Sequence, residues 1–177
     1  MANGGTGVED GVALILALQF DRTSFDRLDG ARRRYFPAER NFIPAHLTLF
    51  HHLPAERHDA IVDDVATRCR SQGPFPIRFS GLRFMGRGTA YVVESDQLMK
   101  LRADLSALWS ADLNRQDSQG FRPHVTIQNK VVPEAARALY DELTRNFESF
   151  DATASGLLLW RYRGGPWDAA GEFGFTA

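Results

Sequence analysis

Two histidines, each followed two residues later by a threonine, carry the most suggestive chemistry in this chain. They lie in His46-Leu47-Thr48-Leu49-Phe50 and His124-Val125-Thr126-Ile127-Gln128. Imidazole is the side chain that can be a base or an acid near neutral pH. A hydroxyl beside it can donate a hydrogen bond to an oxygen where negative charge accumulates. Two such pairs suit a displacement at phosphorus: a neutral imidazole takes a proton from the nucleophile and a protonated one gives a proton to the leaving oxygen. Those two oxygens lie roughly in line through phosphorus, so the histidines belong on opposite walls of a groove. The scheme needs no metal ion and no cofactor.

Both motifs read as β-strands, short, rich in β-branched and apolar residues, and entered through Pro44 and Pro123. Alternate side chains share a face of a strand. His46 and Thr48 then face one way and Leu47 and Leu49 the other. On the second strand His124, Thr126, Gln128 and Lys130 have one parity, as does Arg122 ahead of Pro123. Lys130 is placed to bring positive charge to a phosphate at the groove edge. His51 is expected to point away from the motif face, and His52 to end its strand. No carboxylate joins these histidines at ligand spacing, which argues against zinc.

The remaining elements follow from periodicity. Val12 to Phe20 has the near-continuous apolar character of a central strand. Thr23 to Phe36 has a helical stripe of Phe25, Leu28, Tyr35 and Phe36, with Asp29 and Arg32 to Arg34 expected on its solvent side. A helix opened by Pro54 should turn Ile61, Val62, Val65, Ala66 and Cys69 to the core. Strands are expected at Phe75–Leu82 and Thr89–Glu94, then a helix capped by Asp96 with Leu98, Leu101, Leu105 and Leu108 as its stripe. Asp112 to Gly120 reads as a polar loop, Pro133 opens another helix, and Leu157–Tyr162 and Glu172–Phe175 close the chain. Tyr91 is a candidate to stack on a nucleobase. Arg161 shares a strand face with Arg163 and is a second candidate phosphate cation.

The order repeats. Val12 and Thr89, His46 and His124, and Pro54 and Pro133 are separated by 77, 78 and 79 residues. The expected architecture is α+β: a bilobal, pseudo-symmetric duplication with two antiparallel sheets facing a central groove and helices outside. Residues 1–11 are expected to be a flexible tail and 12–177 a single bilobal domain.

Composition bounds the partners. A net charge of −1 lacks the basic field that long nucleic acid requires. One cysteine excludes an intrachain disulfide and fits a reducing, cytoplasmic setting. No apolar run is long enough to span a membrane, and a monomer is expected.

Two H-Φ-T-Φ motifs half a chain apart, the second in the context FRPHVTIQ, resemble the 2H phosphoesterase superfamily, in particular its 2′-5′ RNA ligase branch. The likeness extends to the helices after both motifs and to Leu159-Trp160-Arg161-Tyr162-Arg163. It implies a central groove with His46 and His124 as catalytic histidines and Thr48 and Thr126 as phosphate-binding hydroxyls. Many members carry an arginine after the second motif, where this chain has Gln128-Asn129-Lys130. The implied substrate is a nucleotide or short RNA end with a 2′,3′-cyclic phosphate or a 2′-5′ linkage. The implied activity is a phosphodiesterase's. A ligase joining tRNA halves and a non-catalytic nucleotide-binding module are the alternatives.

Overall fold

The computed structural model describes residues 12–177; the expected tail, 1–11, lies outside them. The strands are β1 (Ala13–Phe20), β2 (Thr48–Pro54), β3 (Phe75–Phe84), β4 (Thr89–Glu94), β5 (His124–Gln128), β6 (Phe150–Tyr162) and β7 (Trp167–Gly174). The helices are α1 (Arg22–Tyr35), α2 (His58–Arg70), α3 (Asp96–Leu108) and α4 (Pro133–Arg145). Every strand pairing is antiparallel.

The path runs β2-β1-β6-β3-β4-β5, with β7 also on β6. Strand β6 joins the two expected sheets. Its first residues, Phe150–Ala154, pair with β3, while Gly156–Tyr162 pair with β7 and with β1. The motif-bearing strands β2 and β5 are thus the two ends of the path. His46, two residues ahead of β2, and Thr126 of β5 nevertheless line one cavity, described below, so the sheet folds back and brings the two motifs together. Strand β6 begins at Phe150, well before the Leu157 that the sequence suggests. Its early part is Asp151-Ala152-Thr153-Ala154-Ser155, whose small residues give little apolar signal although Ala152 and Ala154 are buried.

Helices tie the halves together crosswise. Helix α1, which follows β1, packs on β5 of the other half. Its start is set by Asp21, whose carboxylate accepts from the Ser24 N–H at 3.0 Å. Ser95, one residue before the expected Asp96, caps α3 by accepting from the Leu98 N–H at 3.2 Å. Leu98, Leu101 and Leu105 of α3 are buried, whereas Leu108 is exposed. Pro54 closes β2, and a short 3-10 turn, Ala55–Arg57, precedes α2. The core contains Leu14, Leu16, Leu18, Leu49, Phe50, Phe79, Leu101, Trp109, Val125 and Leu157. Each such large apolar side chain contributes roughly 1.5–3 kcal/mol when fully buried. Cys69 is buried too, and burial pushes its thiol up to about 11, so it is protonated and inert at neutral pH. No helix among the described residues is long and apolar enough to cross a membrane.

Two details depart from simple periodicity. Asp29 and Arg32, expected in solvent, are buried on α1, while Arg33 and Arg34 are exposed. Strand β2 is bulged: Leu14 pairs with Leu53 and Leu16 with Phe50, so three residues of β2 span two of β1. Leu49 and Phe50 are consequently both buried, and His51 and His52 are both exposed.

Candidate functional site

His46 lies two residues before β2, where the ladder reaches Leu47, whose carbonyl accepts from the Leu18 N–H at 2.9 Å. His124 opens β5. The two rings are anchored identically. The Nδ1 of His46 is 2.9 Å from the Pro44 carbonyl oxygen, and the Nδ1 of His124 is 2.9 Å from that of Arg122. A carbonyl only accepts, so each Nδ1 carries the proton and each neutral ring keeps its Nε2 lone pair for chemistry. Arg122 therefore serves through its backbone, and its side chain is exposed.

Register sorts the other expected residues by face. Thr48 pairs with Ala17, and Ala17 with Leu158, so Thr48 shares the face of Leu158 and Trp160. A cavity of about 710 Å³ lies on that face, bounded by Leu158, Trp160, Trp167, Ile43 and His46. A second cavity, about 420 Å³, brings His46 and Thr126 together with Arg32, Lys130, Tyr162 and Trp167. On the second half, His124 pairs with Val92 and Thr126 with Ala90, which pairs in turn with Arg83.

Not every candidate joins them. Tyr91 pairs with Val125, on the opposite face of β5 from His124, and its ring packs against Phe79 and Phe150 at 6.0 and 5.7 Å. Burial pushes its hydroxyl pKa up. Arg161 shares the face of buried Leu157 and Leu159, so Trp160 and Tyr162, not the arginine, line the groove. Gln128 leaves the Thr126 face, because a register shift pairs Thr126 with Ala90 but Gln128 with the adjacent residue, Thr89; its side chain is buried, with Oε1 lacking a protein partner.

Arg32 is the cation that sequence parity did not supply. Its Nε donates to Asn41 Oδ1 at 2.8 Å and Nη1 to the Thr126 carbonyl at 2.9 Å, with the guanidinium over the Phe36 ring. Burial lowers its pKa to about 10, partly offset by Asp29, and it remains charged at neutral pH. Trp167 is the other addition: its ring centroid is 4.6 Å from that of His46.

Burial lowers the His46 pKa to about 4, against the pull of the Pro44 carbonyl; charge on Arg32, His124 and His51 lowers it further. Burial also lowers His124, opposed by the Arg122 carbonyl and assisted by Arg83 and His51. Both imidazoles are neutral at rest. Around the second cavity the neutral His46 ring, the Thr126 hydroxyl and the charged Arg32 are the groups that can meet an oxyanion.

The comparisons agree with this architecture. The family model described as the 2′-5′ RNA ligase superfamily matches residues 20–166. No curated sequence matches the chain. Among solved structures, TT0787 of Thermus thermophilus is 18% identical and superposes with a TM-score of 0.66, over 93% of this chain and 98% of that one. E. coli LigT complexed with NADP+ is 18% identical with a TM-score of 0.57, over the same shares of each chain. LigT complexed with 3′-AMP is 17% identical with a TM-score of 0.56, again over 93% and 98%. At these identities the likeness is one of fold. The match of the family model across most of the chain is a matter of sequence, and by it the protein belongs to the 2′-5′ RNA ligase superfamily of 2H phosphoesterases.

Proposed function

We propose that the protein is a metal-independent phosphodiesterase that opens 2′,3′-cyclic phosphates, or cleaves 2′-5′ linkages, of nucleotides or short RNA. The observation that carries this reading is the matched anchoring of His46 and His124 through Nδ1, which leaves Nε2 of each ring available. Nucleotide complexes of LigT, with NADP+ and with 3′-AMP, support a ligand of this size.

His46, the ring held most firmly neutral, is the base. Its Nε2 takes a proton from water as the water oxygen bonds to phosphorus. His124, protonated once a phosphate anion is bound, gives its Nε2 proton to the leaving ribose oxygen as the P–O bond breaks. Thr48 and Thr126 donate to the non-bridging oxygens, and Arg32 and Lys130 supply positive charge. Substrate binding is thus what creates the acid, because a neighbouring anion favours imidazolium.

The test is a panel of nucleoside 2′,3′-cyclic phosphates, 2′-5′ dinucleotides and tRNA halves with EDTA present, read by product mass. Hydrolysis is expected, and a drop of about 10²–10⁴ in kcat for His46→Ala or His124→Ala. In the free enzyme the singly protonated pair dominates between the two lowered pKa values. kcat/KM should therefore be bell-shaped with its optimum below 6.5 and its acid limb near 4. The alkaline limb of kcat should lie higher. Undiminished turnover in both alanine variants would remove the assignment.

A further inference from the structure

We propose that His51, braced by Asp117, forms a separate anion subsite beside the motif histidines that takes the phosphate next to the scissile one in a nucleic-acid chain. The inference rests on the phosphodiesterase reading for its substrate. Strict alternation would turn His51 to the face opposite His46. The β2 bulge prevents this: His51 and His52 lie opposite Ile15, which pairs with Trp160 of the groove face.

The ring is built in. Asp117, 2% exposed, accepts from the backbone N–H of His51 at 2.8 Å and of His52 at 2.8 Å. The same carboxylate lies 3.1 Å from Nδ1 of His51. Burial alone would raise the Asp117 pKa, but these hydrogen bonds outweigh it and hold the group below the usual carboxylate range, so it is an anion. Asp117 is placed in turn by Asn114 Oδ1, which accepts its N–H at 2.8 Å, and by Arg102, which donates to its carbonyl at 2.5 Å. Arg102 is itself buried and also donates to the Leu49 carbonyl at 2.7 Å. The backbone of the bulge is satisfied without the ring. The additional contact to Nδ1 fixes the ring's rotation and leaves Nε2 on its far side, on a side chain 44% exposed.

The location is relevant to catalysis, since charge on His51 is felt at both His46 and His124. An imidazole of fixed orientation there, with Nδ1–H held by Asp117, takes up a proton at Nε2 as the anion binds and then makes a charge-assisted hydrogen bond to a flanking phosphate. The favoured substrate is then an oligonucleotide end or a nucleotide with a further phosphate, over a nucleoside cyclic monophosphate.

Calorimetry with uncleavable products tests this. The wild type should bind a nucleoside 3′,5′-bisphosphate about tenfold more tightly than the 3′-monophosphate. His51→Asn should bring that ratio within about twofold of unity, and so should His51→Gln. A wild-type ratio of one, a preference that survives both variants, or an equal loss for both ligands would each overturn the subsite. Because the assay reads binding, it is independent of turnover. A His51-dependent bisphosphate preference in a chain that hydrolyses nothing would sink the catalytic reading and leave the subsite standing.

Discussion

The depressed pKa of His46 has a thermodynamic consequence that can be isolated by one substitution. In the unfolded chain this imidazole titrates at 6.5; in the folded protein it titrates at about 4. Between those values the unfolded state binds the proton and the folded state does not, so stability is lost as pH falls from 6.5 towards 4. The full gap corresponds to at most about 3 kcal/mol. Most of it, roughly 2–3 kcal/mol, is lost between about pH 7 and about pH 4.5. His46→Asn removes the titrating group, and its amide can still donate to the Pro44 carbonyl in place of Nδ1–H. The variant also loses the ring contact with Trp167, which costs about 1 kcal/mol at every pH. The two stability curves should therefore cross: the variant less stable by about 1 kcal/mol at neutral pH and more stable by about 1–2 kcal/mol near pH 4.5. Urea unfolding followed by tryptophan fluorescence at both pH values measures this, provided the m-value is unchanged. Titrating groups that do not couple to His46 cancel in the difference between the proteins. Parallel curves would show that His46 is not buried as a neutral ring, and would remove the basis for assigning it as the base.

Arg32→Met should lower kcat/KM by about 10²-fold by removing both the groove charge and the clamp on the Thr126 carbonyl. Arg32→Lys should restore only part of this, because an ammonium cannot hold Asn41 and Thr126 in the geometry of the guanidinium fork. Steady-state kinetics on a cyclic phosphate measures both, and an Arg32→Met variant within twofold of wild type would refute the role. Gly88→Ala should destabilise the fold by about 2–3 kcal/mol, since an added Cβ would meet the Gln128 carbonyl and, at 2.7 Å, the Asn129 Cα at the end of β5. Thermal melting measures it, and an unchanged Tm would contradict the close approach.

What could be read from the sequence was the part written locally. His46-x-Thr48 and His124-x-Thr126 each place an imidazole and a hydroxyl within three residues, and the near-constant offset between the halves pairs them. Arg32 was within reach of the same reasoning. Leu28, Arg32 and Phe36 are spaced four apart, so the arginine lies on the apolar stripe of α1 and its burial follows from the period. Charge suggested solvent, and the structure shows that position prevailed, because the Thr126 carbonyl, the Asn41 amide and the Phe36 ring compensate the buried guanidinium. Asp117 had no such signal. It sits in an aperiodic loop, and its partner His51 is 66 residues away. The bulge in β2 is likewise set by pairing with β1 and not by any turn residue within Phe50-His51-His52-Leu53. Parity on β6 correctly separated Arg161 from Trp160 and Tyr162, yet which set would face the groove depended on packing. Leu157 and Leu159 continue the Arg161 face into the core, so the indole of Trp160 and the phenol of Tyr162 are left to the groove, against Trp167 and His46. The guanidinium beside Thr126 comes instead from a helix of the other half, and Lys130 adds a second cation to the same cavity. That explains why a chain with Gln128-Asn129-Lys130 after its second motif still holds a guanidinium beside Thr126.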